Sequence, residues 1–313
     1  MDVGGTKIAA GLVTEEGKLE NEARYPTADR PEALLDGLAH AVEEAADSEQ
    51  VGGVCLAVPG LLLAEESKVI FSPNLHAIEG IRLKDKLESR TGLTVTIEND
   101  ANAAAWGEFV FGAGSDVDNL VFVTLGTGVG GGVIIDGELL RGTQGAGGEL
   151  GHTTIHATGP RCGCGNRGCF EIMASGTAIE RRARQLAAEK PGSGLAQVVG
   201  DPHGFSGEQI TELAREGDAL ATSVLRENGV WLGIGLAGFV NVFNPEMVAV
   251  GGGVAGAGDL ILEPARREVH LRARSPSRDL VEIKPATLGA KSGVLGAAAL
   301  ARGLSGEFVL DAG

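Results

Sequence analysis

Short apolar runs alternate with longer stretches of helical period along the whole chain. IAAGLV (8–13), VGGVCLAV (51–58), LTVTIE (93–98), LVFVTL (120–125), GGVIID (131–136), MVAVGG (247–252) and LVEIKPA (280–286) have the length and β-branched content of strands. Helical patterns are expected over 31–47, 82–91, 101–111, 175–190, 206–216, 218–243, 259–274 and 291–302. Strands alternating with helices predict an α/β architecture. One segment also echoes another. MDVGGTKIAAGLV is a strand end, a glycine turn holding a threonine, and a second strand; LVFVTLGTGVGGGVIID repeats that plan about 120 residues later. Both read as β-hairpins, and two related hairpins suit two similar α/β domains gripping a nucleotide from either side. The join is expected where the helix ANAAAWGEFVFG gives way to GAGSDVDN, with the last helix returning to the first domain. The expected division is a small α/β domain over 1–108 plus 292–313 and a large α/β domain over 109–291.

Composition narrows the class. A chain of 313 residues with 43% hydrophobic positions can bury a sizeable core and form about two domains. Fifty glycines are about twice the usual share of ~7% and imply many tight turns and close ligand approaches. The net charge of −16 argues against nucleic acid, whose phosphates need clustered Lys and Arg. An anionic ligand must therefore be neutralised locally, by amides or a metal. No signal peptide opens the sequence, and the longest weakly polar stretch, 229–243, is too short to span a membrane. The expectation is a cytoplasmic protein with neither membrane nor nucleic-acid partners.

The densest chemistry lies in ELGHTTIHATGPRCGCGNRGCFE, from Glu149 to Glu171. It carries His152, Cys162, Cys164 and Cys169 in an H-x9-C-x-C-x4-C array, three of the four cysteines in the chain. Three thiolates and an imidazole make a closed four-ligand set of the structural zinc type, placed here in a loop over 152–169. The flanking carboxylates Glu149 and Glu171 exceed what a structural knuckle needs and suggest a polar pocket. Cys55, inside an apolar run, reads as a small buried hydrophobe.

Three glycine clusters are candidate phosphate loops. In the first, Gly4, Gly5, Thr6 and Lys7 follow Asp2, which is placed to hold magnesium through water; an ordinary glycine hairpin is the alternative. The second, Gly126-Thr127-Gly128-Val129-Gly130-Gly131, matches G-x-G-x-x-G in letters but runs into a strand, so it fails as a dinucleotide fingerprint. The third, Gly251-Gly252-Gly253-Val254-Ala255-Gly256, follows a strand and precedes a helix, yet Asp279 and Glu282 stand at the start of the next strand, not at its end. A turn letting an adenosine pack on the backbone suits it better than a nicotinamide or flavin site. No G-x-x-x-x-G-K-[ST] exists, which excludes a P-loop enzyme.

Glu98-Asn99-Asp100 ends a strand before an alanine-rich helix. Asp100 reads as the helix N-cap, as a general base at a strand's carboxyl end, or as both. Asn74, Asn99, Glu149, His152 and Glu171 add amides, carboxylates and an imidazole, the groups that hydrogen-bond vicinal hydroxyls of a carbohydrate.

At these residues the chain resembles the ROK family (repressors, open-reading-frame proteins, sugar kinases), most closely its actinobacterial-type glucokinases. DVGGTK, SPN, ENDANAAAWGE, LGTGVGGG, GELGH, CGCGNRGCFE, NPEMVAVGGG and KSGVLGAA carry the resemblance over nearly the whole length. It implies two ribonuclease-H-like domains of the actin/hexokinase superfamily around an interdomain cleft, with a structural zinc loop. It implies Asp100 as the base that activates the 6-hydroxyl of glucose, with Mg-ATP as donor. Asn74, Asn99, Asp100, Glu149, His152 and Glu171 would contact the sugar; Asp2, Gly4, Gly5, Thr6, Lys7, Gly126, Thr127, Gly128, Gly252 and Gly253 would contact ATP. His152, Cys162, Cys164 and Cys169 would hold zinc, His152 touching a sugar hydroxyl with its second ring nitrogen. The resemblance also suggests a homo-oligomer, a dimer or tetramer. One departure is that Met1 directly precedes Asp2, so the first strand is clipped. Kinases of N-acetylmannosamine, fructose or allose, polyphosphate as donor, a sugar-sensing repressor and a non-catalytic sugar binder are the alternatives. The acidic charge and the start at the phosphate loop speak against the repressor.

Overall fold

Two five-stranded sheets share one topological plan. In this computed structural model, which describes residues 1–303 apart from 15, 48, 50, 64–66, 73 and 203, the chain runs β1 (Asp2–Val3), β2 (Lys7–Val13), β3 (Leu19–Pro26), α1 (Pro31–Ala46), β4 (Val54–Val58), β5 (Leu61–Leu63), β6 (Lys68–Phe71), α2 (Leu83–Thr91), β7 (Val95–Asn99) and α3 (Asp100–Phe111). There follow β8 (Leu120–Leu125), β9 (Val129–Ile135), β10 (Glu138–Leu139), α4 (Phe170–Ala174), α5 (Gly176–Glu189), α6 (Gly194–Val199), α7 (Gly207–Arg215), α8 (Ala219–Phe243), β11 (Met247–Gly251), α9 (Asp259–Arg272), α10 (Ser277–Leu280), β12 (Glu282–Pro285) and α11 (Ser292–Arg302). The sheet orders are β3-β2-β1-β4-β7 and β10-β9-β8-β11-β12. In each, the first three strands of the set lie side by side, the first of them at the centre, and two further strands join parallel to it. The internal echo of the sequence is thus an echo of topology. β5 and β6 form a separate two-stranded ribbon.

β4 shows how the pattern positions the first candidate base. All five residues of VCLAV are buried, as a central parallel strand covered on both faces requires. Val54, Leu56 and Val58 face a core with Leu34, Leu38, Leu83, Leu87 and Val95. Cys55 and Ala57 face the other way, against Ala103 of α3 and Ala297 of α11. Small residues there let two helices close on the sheet. A Cβ on Gly296 of α11 would lie 1.7 Å from the Ala103 carbonyl, so the backbones of α3 and α11 meet directly. Cys55 is the buried small hydrophobe expected, and burial pushes its thiol up to about 12.

The chain divides into two compact units, 1–116 with 132–148 and 288–313, and 117–131 with 149–287. Residues 109–116, 132–148 and 288–291 thus fall in the first unit, whereas the sequence expectation put them in the large domain. Of the expected return segment 292–313, residues 304–313 lie outside the described residues. In the second unit the long α8 packs along α9, where Gly229 and Gly233 admit the Ile261 and Ala265 backbone. α8 is capped by Asp218, whose Oδ1 accepts from Leu220 N at 2.9 Å and Ala221 N at 2.8 Å. Among the described residues, no helix is long and apolar enough to cross a membrane.

β3, β5, β6, β10, α4, α6 and α10 escaped the sequence pattern. LENEARYP of β3 is an outer strand carrying charge on its exposed side, which hides a β-period. α6 is only six residues long, set by its Ser193 cap rather than by periodicity.

Candidate active site

The turn after β7 is built on Asn99. Asn99 is extended (φ −64°, ψ 142°), and its Oδ1 accepts from Ala101 N at 2.9 Å and Asn102 N at 3.1 Å. It is therefore the N-cap of α3, correcting the expectation that Asp100 holds that place. Asp100 is the first helical residue, with Oδ1 accepting from Ala101 N at 2.8 Å. The cap is one residue earlier because the extended backbone ends at Asn99, and two adjacent cap-type residues look alike in sequence. Asn99 Nδ2 donates to the Gly60 carbonyl at 3.2 Å, which leaves its second hydrogen for any other acceptor.

The first glycine loop joins β1 to β2, closed by Gly4 N donating to Lys7 O at 2.9 Å. Thr27 braces it, its hydroxyl donating to Gly4 O at 2.7 Å and its amide to Thr6 O at 3.1 Å. A Cβ on Gly5 would stand 2.2 Å from the Asn74 carbonyl. The loop therefore rests on the backbone of Asn74, and Gly5 is needed for that approach. Asp2 lies over the first turn of α11, where a Cβ on Gly293 would be 2.9 Å from its Oδ2. Burial pushes the Asp2 carboxyl up, while the chain's amino terminus and Lys7 act in the opposite direction.

The second unit gathers the other two loops. Gly126 N donates to Gly128 O at 3.0 Å to close the β8–β9 turn. Gly176 N donates to Gly126 O at 2.8 Å, and the Thr177 hydroxyl to Thr127 O at 2.7 Å. Gly252, at φ +84°, packs on Leu125, and Val254 approaches Gly176. Gly126, Thr127, Gly252 and Gly253 are thus brought together around the start of α5. Gly176 and Thr177 belong to this group and went unnoticed in sequence, since only the fold places them at the turn. After Gly252 the chain forms a short 3-10 turn (Gly253–Ala257) before α9, and Glu282 begins β12. A dinucleotide fingerprint needs the glycines to open the helix itself.

In the knuckle, the ligand atoms of His152, Cys162, Cys164 and Cys169 all lie within 4.8 Å of one another, a set that can hold one metal ion. Cys164 Sγ is 3.7 Å from Cys169 Sγ, and Cys162 Sγ is 3.9 Å from His152 Nδ1. Gly168, at φ +59°, has no room for a side chain, because a Cβ would fall 1.7 Å from the His156 carbonyl. Burial pushes the Cys169 thiol up to about 12 and raises Cys162, whereas the Asn166 amide lowers Cys164. Thiols so placed resist becoming thiolates together until a cation shares their charge.

Glu171 ties this knuckle to the glycine turn. Its Oε2 accepts from Val129 N at 3.1 Å, and its Oε1 lies 3.6 Å from Cys162 Sγ. Gly128 is hemmed in by the same carboxylate, since a Cβ there would be 2.4 Å from Oε2. Glu149 directly precedes the short turn Leu150–His152. Packing around its carboxyl raises its pKa, Glu171 adds to that, and His152 opposes it. Asn74, Asn99 and Asp100 lie in the first unit; Glu149, His152 and Glu171 in the second.

Paired sheets of one topology, glycine hairpins and a His/Cys3 knuckle together define an α/β protein of the actin/hexokinase type. The chain belongs to the ROK family, whose model matches residues 1–303. It is 42% identical over 306 residues to the glucokinase of Streptomyces coelicolor, covering 96% of each chain. It is 37% identical to the glucokinase of Thermotoga maritima, covering 96% of this chain and 95% of that one. Among solved structures, the ROK glucokinase of Streptomyces griseus in complex with glucose and AMPPNP matches with a TM-score of 0.83 and 42% identity, over 96% of this chain and 98% of that one.

Proposed function

We propose that this protein is an ATP-dependent glucokinase, transferring the γ-phosphoryl group of Mg-ATP to the 6-hydroxyl of glucose. The observation that carries the reading is full-length similarity, at 42% identity, to glucokinases. Asp100 is the base. At the first position of α3 its carboxylate stands where the helix dipole favours negative charge. In a loose phosphoryl-transfer transition state it orients the hydroxyl and takes its proton late, so no raised pKa is required. Asn74, Asn99, Glu149, His152 and Glu171 hydrogen-bond the sugar hydroxyls. Of these, Asn99 has the least capacity, because its oxygen serves the cap.

Gly4, Gly5, Thr6 and Lys7, with Gly126, Thr127 and Gly128, offer amides, hydroxyls and one ammonium to the phosphates, and Gly252 and Gly253 offer backbone to the adenosine. Asp2 would hold the magnesium of Mg-ATP through water, and the ion would neutralise charge on the phosphates. The knuckle fits structural zinc: metal–sulfur bonds of about 2.3 Å give sulfur–sulfur edges of about 3.8 Å, and a metal–nitrogen bond of about 2.0 Å gives sulfur–nitrogen edges of about 3.5 Å, against 3.7 Å between Cys164 and Cys169 and 3.9 Å between Cys162 and His152. Zinc there would fix the loop that carries His152 and abuts Glu171, with His152 Nδ1 toward the metal and Nε2 toward substrate. The assembly is a homo-oligomer, and the protein works in the cytoplasm, in the first step of glucose use.

A coupled ADP-release assay with Mg-ATP against glucose, mannose, fructose, allose, N-acetylmannosamine and N-acetylglucosamine tests the substrate. Selective turnover of glucose is expected. Preference for an N-acetylated sugar would replace glucose, and polyphosphate outperforming ATP in a parallel assay of glucose 6-phosphate formation would replace the donor.

A further inference from the structure

Glu98 is a buried acid that the proposed chemistry does not use. It pairs with Ala57 in the sheet, directly before the Asn99–Asp100 turn, and is only 6% exposed. Its Oε1 accepts from Asn99 N at 3.0 Å and from Asn102 Nδ2 at 3.1 Å. One carboxylate oxygen thus grips the turn on both sides of Asp100. Its Oε2 accepts from Arg141 Nε at 2.7 Å, in a pair whose guanidinium side is 44% exposed and whose carboxylate side is 8% exposed.

Such a pair differs from a surface ion pair. A surface pair contributes little, but removing one partner of a buried carboxylate leaves an uncompensated charge. Asn102 is itself buried, and its Oδ1 has no partner among the described residues. Turning its amide over would set two oxygens against each other, so Glu98 alone decides how that side chain stands. Gly132 lets β9 close over it, since a Cβ there would lie 3.2 Å from Asn102 Oδ1 and 2.5 Å from Ala105.

We propose that Glu98 and Arg141 are positioning residues for the base: the guanidinium holds the Glu98 carboxylate in place through Oε2, and Glu98 Oε1 locks the turn that aims the Asp100 carboxylate. The inference rests on reading Asp100 as the base. It reaches beyond that reading by assigning a role to an arginine 43 residues away in sequence.

The test compares Arg141→Met, Arg141→Lys, Glu98→Gln and the double variant Glu98→Gln/Arg141→Met. Arg141→Met should lower kcat about tenfold or more while KM for ATP moves less than about threefold, because the lost interaction serves the transition state. Glu98→Gln should lose a similar factor, since its new amide meets the Arg141 N–H donor to donor. Arg141→Lys keeps the charge without the fixed Nε donor and should fall between wild type and Arg141→Met. The double variant should recover to within about threefold of wild type, because the neutral amide keeps the Oε1 acceptor and no buried charge is left unpaired.

Hydrogen exchange at the amides of Asn99, Ala101 and Asn102 supplies a readout independent of activity. It should quicken about tenfold in Arg141→Met and return to wild-type rates in the double variant. Unchanged kcat and exchange in Arg141→Met would overturn the proposal, as would a double variant no better than the product of the singles. If Asp100→Asn stayed active, the base reading would fall, while the exchange data would still judge the lock on the turn.

Discussion

The turn at Glu98–Asn102 and the knuckle at His152–Cys169 are both tight and carry ionisable groups, yet they are held by opposite means. In the turn the buried charge has its counterpart within the fold: Arg141 balances Glu98, which also takes two N–H groups, while Asn99 caps two amides. In the knuckle three thiols and an imidazole face one another, and burial drives two of the thiols toward the protonated state. Such a cluster could be completed by a metal ion, as proposed above. The turn should therefore lose function when altered while the protein stays folded; the knuckle should lose folding first.

The sharpest way to break this contrast is to remove a metal ligand. Cys164→Ser, or exhaustive chelation of the wild type, should cost at least about 4 kcal/mol, the scale of losing a structural metal. Thermal melting followed alongside metal content by atomic emission checks this. A protein that melts normally with no metal would place the knuckle in the same class as the turn. Next in size is Gly128→Ala, which pushes a methyl against Glu171 Oε2 and should cost about 1–3 kcal/mol while raising KM for ATP. An unchanged KM there would count against the proposed role of the Gly126–Gly128 turn in binding ATP.

Asn99→Ala tests the other side. Loss of the cap should cost about 1 kcal/mol, read by denaturant unfolding. A much larger loss would mean that the turn, like the knuckle, is a folding element. The smallest effect concerns Cys55. With its thiol pushed up to about 12, it should stay unlabelled by a thiol reagent at pH 8 in the folded protein. The exposed Cys164 should react once a chelator strips the knuckle. Rapid labelling of Cys55 would show that α3 and α11 open from the sheet.

Much of both regions could be read from the sequence, for different reasons. The knuckle ligands sit within one loop, and their chemistry is local, so spacing alone grouped His152 with the three cysteines. The glycine hairpins were legible because their plan repeats. Partners brought in by topology were hidden. Arg141 meets Glu98 across 43 residues, Thr27 braces Gly4 across 23, and Thr177 reaches Thr127 across 50. No period or motif marks such pairs. The cap of α3 was misplaced by one residue because Asn and Asp are both good caps, and only the backbone angles at Asn99 decide between them.

In the proposed reaction Asp100 performs the proton transfer of a glucokinase while Asn99 and Glu98 hold its turn. The most direct test measures glucose binding by calorimetry and turnover with Mg-ATP on wild type and Asp100→Asn. The account predicts that kcat falls by about 10²–10⁴, the usual worth of a general base, with the Kd for glucose within about tenfold of wild type. An Asp100→Asn protein that binds glucose and keeps more than a few per cent of wild-type turnover (roughly the least a general base contributes) would contradict it.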